Sequence, residues 1–331
     1  MKTLIFATSM EQKRAFLIVN PVSGTSRKEG LEERVALHLA DAGIKVVPHR
    51  TAASGDATRL AREAVDKGFD MVLAAGGDGT INETANALCN TGVTFGIIPC
   101  GSGNGLARHL NIPVDIRASL DVIANGRTEV CDHGSVNGQN FFCTFGMGFD
   151  AAVSHKFAES KRRGKLTYIS NTFKEYISYR PEEYVIRANG RVLTERAFVV
   201  AVCNASQYGN NAYIAPHASI TDGLLDVTIV HYGNLLSTAL VGLDLMSGFI
   251  ERNMLIHTFR AAELSIERKS PGAVHLDGEP LEMGTDLNVE CHPSSLKIFT
   301  PEADRPIRPL LTPIMAMMND FGYTLRKLFE K

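Results

Sequence analysis

Residues 71–105 read MVLAAGGDGTINETANALCNTGVTFGIIPCGSGNG, and one pattern occurs in them twice. An apolar run, Met71-Val72-Leu73, feeds the glycine-dense turn Gly76-Gly77-Asp78-Gly79-Thr80. A second run, Ile97-Ile98-Pro99, feeds Gly101-Ser102-Gly103-Asn104-Gly105. Glycine lets the backbone come close to a bulky anion and take positive φ, with bare N–H groups turned toward its oxygens. A carboxylate planted in the first turn would oppose a phosphate unless it works through a metal or a proton. The combination points to phosphoryl transfer.

The flanking sequence supplies the frame for these turns. Residues 15–20 (AFLIVN) read as a buried strand and 28–40 as a helix with Leu31, Val35 and Leu39 on one face. A second strand is expected over 44–49. A helix capped by Ser54 should run to Lys67 and end at Gly68. Two more strands, 71–75 and 94–98, each deliver into a glycine turn. Alternating strands and helices imply a mostly parallel sheet, with ligands gathering beyond the carboxyl ends of its strands. Both glycine turns and the loop Asn20-Pro21-Val22-Ser23-Gly24 lie at such ends, which makes a nucleotide cleft. The helices that follow, starting at Thr80 and near Gly103, would turn their positive ends toward phosphate.

Composition bounds the rest. The chain has 331 residues, 44% of them hydrophobic, enough for two cores and therefore two domains. A net charge of −2 gives no basic field, so nucleic acid is not the expected partner. Six cysteines without CxxC spacing and ten histidines without HExxH argue against a zinc site or disulfide framework. Reduced thiols and a cytoplasmic location are expected. Residues 1–13 read as a flexible extension, too weakly apolar for a signal peptide. No stretch reaches about 18 uninterrupted apolar residues, so no transmembrane helix is expected. Residues 235–250, broken by Gly242 and Asp244, read as a buried amphipathic helix.

From about residue 128 the pattern becomes antiparallel. Asn137-Gly138 joins runs 129–136 and 139–145, and Asn189-Gly190 joins 183–188 and 191–203, as two-residue hairpins. Short strands follow at 225–230, 263–267, 273–276, 287–291 and 296–299, with helical insertions near 155–179 and 235–256. This is a β-sandwich. The tail, with Thr312 as N-cap and Pro313 at the first helical position, should form a helix to Lys331 that packs back on the first domain. The domains are then 14–127 plus 305–331, and 128–304.

Two motifs are set aside. Gly146-Met147-Gly148-Phe149-Asp150-Ala151 fits a dinucleotide pattern but follows a hairpin strand, so it reads as structural. GxxxxGK[ST] and GxSxG are both absent. Two acidic clusters remain, Thr221-Asp222-Gly223-Leu224-Leu225-Asp226 and Leu276-Asp277-Gly278-Glu279-Pro280. Phosphoryl transfer to an alcohol needs a carboxylate near the attacking hydroxyl and usually a divalent metal. Asp277 and Glu279, two apart, would project to one side of an extended segment and form a base with a supporting partner.

Together these motifs resemble the diacylglycerol kinase catalytic family, which includes bacterial lipid kinases and sphingosine or ceramide kinases. The resemblance spans about residues 14–300 and rests on Asn20-Pro21-x-Ser23-Gly24, GGDGTINE (76–83), IIPCGSGNGLARHLNIP (97–113), GMGFDA (146–151), TDGLLDV (221–227) and LDGEP (276–280). The ordered set is specific, whereas GGDGT alone is shared with NAD kinases and phosphofructokinases. The resemblance implies a Rossmann-like α/β domain with a β-sandwich behind it, and ATP and Mg²⁺ as cofactors. It places Asn20, Pro21, Val22, Ser23, Gly24, Thr51, Gly76, Gly77, Asp78, Gly79, Thr80, Ile81, Asn82 and Ser102 against the nucleotide. Asp78 would help organise metal and phosphates. Ser219, Asp222 and Leu224 would hold a structural Mg²⁺, with only Asp222 giving a side-chain charge.

The resemblance further implies that Glu279 or Asp277 takes the proton from a lipid hydroxyl. The better assignment is Glu279 as base with Asp277 assisting. Two departures bear on the lipid and not on the phosphoryl donor. Asn104-Gly105-Leu106 replaces a common Asn-Asp-Phe and is closer to the sphingoid-base branch, and Tyr208-Gly209-Asn210-Asn211 replaces a usual run of glycines. The expected activity is phosphorylation of diacylglycerol or a long-chain base at the inner membrane surface. NAD kinase and a non-catalytic nucleotide- or lipid-binding module are the alternatives, and a homodimer is left open.

Overall fold

The computed structural model describes residues 12–23, 29–159, 179–209, 211–301, 311–315 and 318. Four strands, β1 (Lys13–Val19), β2 (Ile44–Arg50), β3 (Met71–Gly76) and β4 (Thr94–Pro99), form a parallel sheet in the order β4-β3-β1-β2. Every residue of β3 and β4 is buried, as expected of parallel strands covered on both faces. Successive side chains separate into two cores. Phe16, Ile18, Val72, Ala74 and Ile97 face α2 (Asp56–Asp66) and α3 (Asp78–Leu88). Leu17, Leu73, Ala75 and Ile98 face α1 (Leu31–Ala40) and α5 (Ile116–Asn125), behind the short α4 (Gly105–His109).

The second half is antiparallel. It comprises β5 (Thr128–Val136), β6 (Gln139–Phe141), β7 (Thr144–Gly148), α6 (Phe149–Glu159), β8 (Glu182–Ala188), β9 (Arg191–Cys203) and β10 (Leu225–His231), followed by α7 (Leu235–Ser247), β11 (Ile256–Ala261), β12 (Glu263–Arg268), β13 (Gly272–Leu276), β14 (Glu279–Met283) and β15 (Asp286–Phe299). Strands run β14-β13-β7-β9-β8-β12-β15, with β10 and β11 extending from β9 and with β5 and β6 from β15. Inward residues such as Phe145, Tyr184, Val202, Ile229 and Val289 make one core. Strand β15 serves both halves: its start pairs with β12, its end with β5, and Ile298 lies opposite Phe95 of β4. The α/β domain with a β-sandwich is therefore the observed architecture.

Several local expectations are corrected. Ser54 does not cap α2; Gly55 holds the N-cap position and Asp56 Oδ2 accepts the Ala52 and Ala53 N–H groups instead. The run 139–145 is broken, because β7 leaves β6 to pair with β9 and β13. Runs 287–291 and 296–299 are one strand with a bulge, where Ser294 takes φ 52° and gives its N–H to Asp132. Strands β11 and β14 carry too little apolar alternation to be found from sequence. Helix α7 is less buried than expected, with Leu240, Leu243 and Met246 exposed. The expected extension up to residue 11, most of the 155–179 insertion and most of the tail helix lie outside the described residues; 311–315 are helical. No described helix is long and apolar enough to cross a membrane.

The junction between halves contains a histidine pair, His133 buried and His292 half-buried. His133 of β5 contacts Ser295 Oγ through Nδ1 at 2.6 Å and stacks on His292 at 4.7 Å. Burial, and then the neighbouring His292, push the His133 ring from 6.5 down to about 4. The unfolded chain takes up that proton near pH 6.5 and the folded chain only near pH 4, so stability falls as pH drops through this window. In denaturant titrations the wild type should lose more stability over that range than His133→Asn. Equal losses would contradict a neutral buried ring.

Candidate active site

Three loops meet at the carboxyl ends of β1, β3 and β4. Asn20 ends β1, and its N–H donates to Ala75 O at the tip of β3. Its side-chain amide donates to Thr80 Oγ1 at 2.9 Å, joining the first loop to the start of α3. The Asn20 Oδ1 accepts the Val22 N–H at 3.1 Å, which turns the loop outward and leaves Val22 exposed. Thr51 flanks this corner, its N–H bonded to Val19 O.

The two glycine turns touch at Gly77 and Gly101. A Cβ on Gly101 would lie 2.7 Å from the Gly77 Cα, so only glycine permits this approach. Asp78 locks the contact. Its Oδ1 accepts the Gly105 N–H at 2.7 Å and its Oδ2 the Asn104 N–H at 2.9 Å. Asn104, at φ 52°, folds its amide back on Gly101, accepting from Gly101 N and donating to Gly101 O. This corrects the expected helix start near Gly103: α4 begins at Gly105 and its leading N–H groups already serve Asp78. Ser102 remains exposed on the turn, whereas the Ile81 side chain belongs to the core and its N–H bonds Gly77 O. Gly24 lies outside the described residues.

The second carboxylate cluster faces the first turn of α3. Strands β13 and β14 are joined by Asp277 and Gly278, both left-handed at φ 50° and 87°. This tight turn corrects the extended geometry expected for 277–279 and sends the two carboxylates to different environments. Asp277 is buried. It accepts four N–H bonds, from Phe142 at 2.8 Å, Cys143 at 2.7 Å, Thr144 at 2.8 Å and the Asn82 amide at 2.7 Å. Burial pushes its carboxyl upward, against the lowering effect of those donors. Asn82, expected against nucleotide, thus binds Asp277. Glu279 is exposed, with Oε1 3.6 Å from the point a Cβ would occupy on Gly79.

Beneath this turn lie residues that sequence reading passed over. His275 Nε2 is 3.1 Å from Asp150 Oδ2, which also accepts the Tyr208 hydroxyl at 2.8 Å. Asp150 belongs to the GMGFDA stretch set aside as structural. Its acidic residue at the first turn of a helix facing β13 was the signal available.

Ser219, Asp222 and Leu224 lie on a separate loop before β10. The Leu224 N–H donates to Asp222 Oδ1, and Arg260 Nη1 stands 3.5 Å from Asp222 Oδ2. Four residues on, Asp226 Oδ1 accepts from Arg260 Nε at 3.1 Å, and its buried Oδ2 has no hydrogen-bond partner among the described residues. An all-oxygen set of this kind suits a hard divalent ion such as Mg²⁺.

Comparison with known proteins agrees with this geometry. The model of the diacylglycerol kinase catalytic domain matches residues 14–136, and that of the YegS C-terminal NAD kinase beta sandwich-like domain matches 143–300. A Bacillus subtilis protein named diacylglycerol kinase is 33% identical over 273 residues, covering 81% of this chain and 90% of its own length. The Escherichia fergusonii protein named "Probable lipid kinase YegS" is 32% identical, covering 90% of this chain and 98% of its own. A solved Bacillus anthracis diacylglycerol kinase structure superimposes with a TM-score of 0.70 at 23% identity, over 88% of this chain and 97% of that one, a likeness of fold. The fold is shared with these proteins over most of the chain. The chain belongs to the diacylglycerol kinase catalytic-domain family of lipid kinases.

Replacing Asp277 by Asn removes acceptors from buried N–H groups and should destabilise the protein by about 3 kcal/mol in chemical denaturation. Glu279→Gln, on the surface, should leave the midpoint unchanged. Equal midpoints for the two variants would contradict the different environments.

Proposed function

We propose that this chain transfers the γ-phosphate of ATP to the primary hydroxyl of diacylglycerol, with Glu279 as general base. The observation that carries the assignment of the base is the saturation of Asp277. A carboxylate offers about four lone-pair sites, and four N–H groups occupy those of Asp277. None is left for a substrate hydroxyl, so Asp277 acts by holding the β13–β14 turn against β7 and α3. Glu279, on the same turn and beside Gly79, has its carboxylate available to a hydroxyl lying over the glycine turns.

The nucleotide would lie along Asn20–Ser23, Gly76–Thr80 and Ser102, with Thr51 at its side and free N–H groups of the glycine turns on its phosphates. Asp78 would act chiefly by fixing the two turns, which is how it would organise phosphates and metal. Mg²⁺ bound with ATP would neutralise phosphate charge, and Ser219, Asp222 and Leu224 would hold a second, structural ion. Glu279 would take the acceptor proton as the hydroxyl oxygen attacks phosphorus and ADP leaves.

Diacylglycerol is favoured over a sphingoid base because the Bacillus relative covered along 90% of its length carries that name. An acceptor dissolved in a bilayer requires an apolar approach. Leu240, Leu243 and Met246 on α7, with the 98% exposed Met254 nearby in sequence, support docking at a membrane surface.

The test is phosphorylation with ATP and Mg²⁺ of mixed micelles carrying diacylglycerol, a sphingoid base, ceramide or monoacylglycerol, with NAD in parallel. Label should enter diacylglycerol. Glu279→Gln should lower kcat by about 10²–10⁴-fold with KM for ATP little changed. Label confined to a sphingoid base or NAD would reassign the acceptor, and an unimpaired Glu279→Gln would remove Glu279 as base.

A further inference from the structure

His275 sits one residue before the end of β13 and is 2% exposed. Its two nitrogens face different partners. Nε2 meets the Asp150 carboxylate at 3.1 Å, and Nδ1 meets the Gly278 N–H at 3.4 Å. An amide N–H can only donate, so Nδ1 carries no hydrogen. The carboxylate can only accept, so Nε2 carries it. These partners assign one neutral tautomer.

Asp150 is itself held from two sides, taking the Tyr208 hydroxyl on Oδ2 and the Ala151 N–H on Oδ1. Opposite His275 on β7 stands Gly146. A Cβ there would lie 2.2 Å from His275 Nε2 and 2.4 Å from Asp150 Oδ2, so glycine leaves the room the pair occupies. The Gly278 N–H belongs to the two-residue left-handed turn Asp277-Gly278, which leads directly into Glu279.

We propose that His275 is a positioning residue: fixed by Asp150 and Tyr208, it holds the Gly278 N–H and thereby sets the turn that aims Glu279. The catalytic part of this rests on Glu279 being the base; the hydrogen-bond chain does not. Tyr208, Asp150 and the segment from His275 to Gly278 come from three separate stretches, so the base is aimed by the second half of the fold as a unit.

Three readouts on the full chain test it. In ¹⁵N-histidine-labelled wild type, the His275 ring should show a protonated Nε2 and a bare Nδ1; a protonated Nδ1 overturns the proposal. The Gly278 amide should exchange with solvent faster in His275→Phe than in wild type, and equal rates overturn it. In lipid phosphorylation, His275→Phe should lose about 10–100-fold in kcat with KM for ATP nearly unchanged. His275→Gln, which can both donate and accept, should recover most of that loss. Equal impairment in Phe and Gln variants would mean that the ring only fills space. The ring and amide measurements need no turnover, so a protein that phosphorylates no lipid would defeat the functional reading while they still decide the hydrogen-bond chain. If the Phe variant does not fold, the wild-type ring measurement decides.

Discussion

One carboxylate holds the proposed nucleotide edge together. Asp78 opens α3 and takes the N–H groups of Asn104 and Gly105 from the next loop. Hydrogen bonds to a charged group contribute roughly 1.5–3 kcal/mol each, and leaving such N–H groups unpaired costs a similar amount. Besides this tie, the Cys100 N–H donated to Gly76 O at 2.7 Å joins the two turns just before the Gly77–Gly101 contact. The glycines permit the close approach, the carboxylate fixes it, and the resulting ridge is where phosphates would rest. An acidic residue in a phosphate-binding turn is otherwise a contradiction; here its charge is met by backbone donors.

A second carboxylate does for the two halves what Asp78 does for the two loops. Asp277 takes one N–H from Asn82 on α3 and three from residues 142–144 at the entry to β7, across a sequence separation of 195 residues at its longest. Strand β15 provides the covalent continuity, running from the antiparallel half into contact with β4. The exposed Glu279 is therefore suspended from a rigid turn between two domains instead of from a free loop. The general base proposed here would be better placed by such a turn, because misplacement of about 1 Å can cost 100-fold in rate.

The parts legible in the sequence were those with local causes. The apolar runs into glycine turns gave the parallel sheet, its order of elements and the three converging loops. Asn137-Gly138 and Asn189-Gly190 marked their hairpins because left-handed backbone favours those residues. What depended on distant partners was not legible. Nothing near Asp277 in the chain reveals that four N–H groups from elsewhere will bury it, so the pair 277 and 279 read as one-sided. The break at 142–143 arises because those amides turn to Asp277, and Asp150 looked like part of a decoy because His275 is 125 residues away. Ser54 lost its capping role to Asp56 and Glu83, which reach the same backbone with charged oxygens.

The proposed nucleotide site depends on the ridge that Asp78 fixes. Calorimetric titration of Mg²⁺·ATP into the wild type and Asp78→Ala, with the fold of each verified by circular dichroism, tests it most directly. A saturable wild-type isotherm is expected, with affinity at least about tenfold weaker in a folded variant, the equivalent of one lost charge-assisted bond. Equal affinities in the two proteins, or no binding by the wild type, would contradict it.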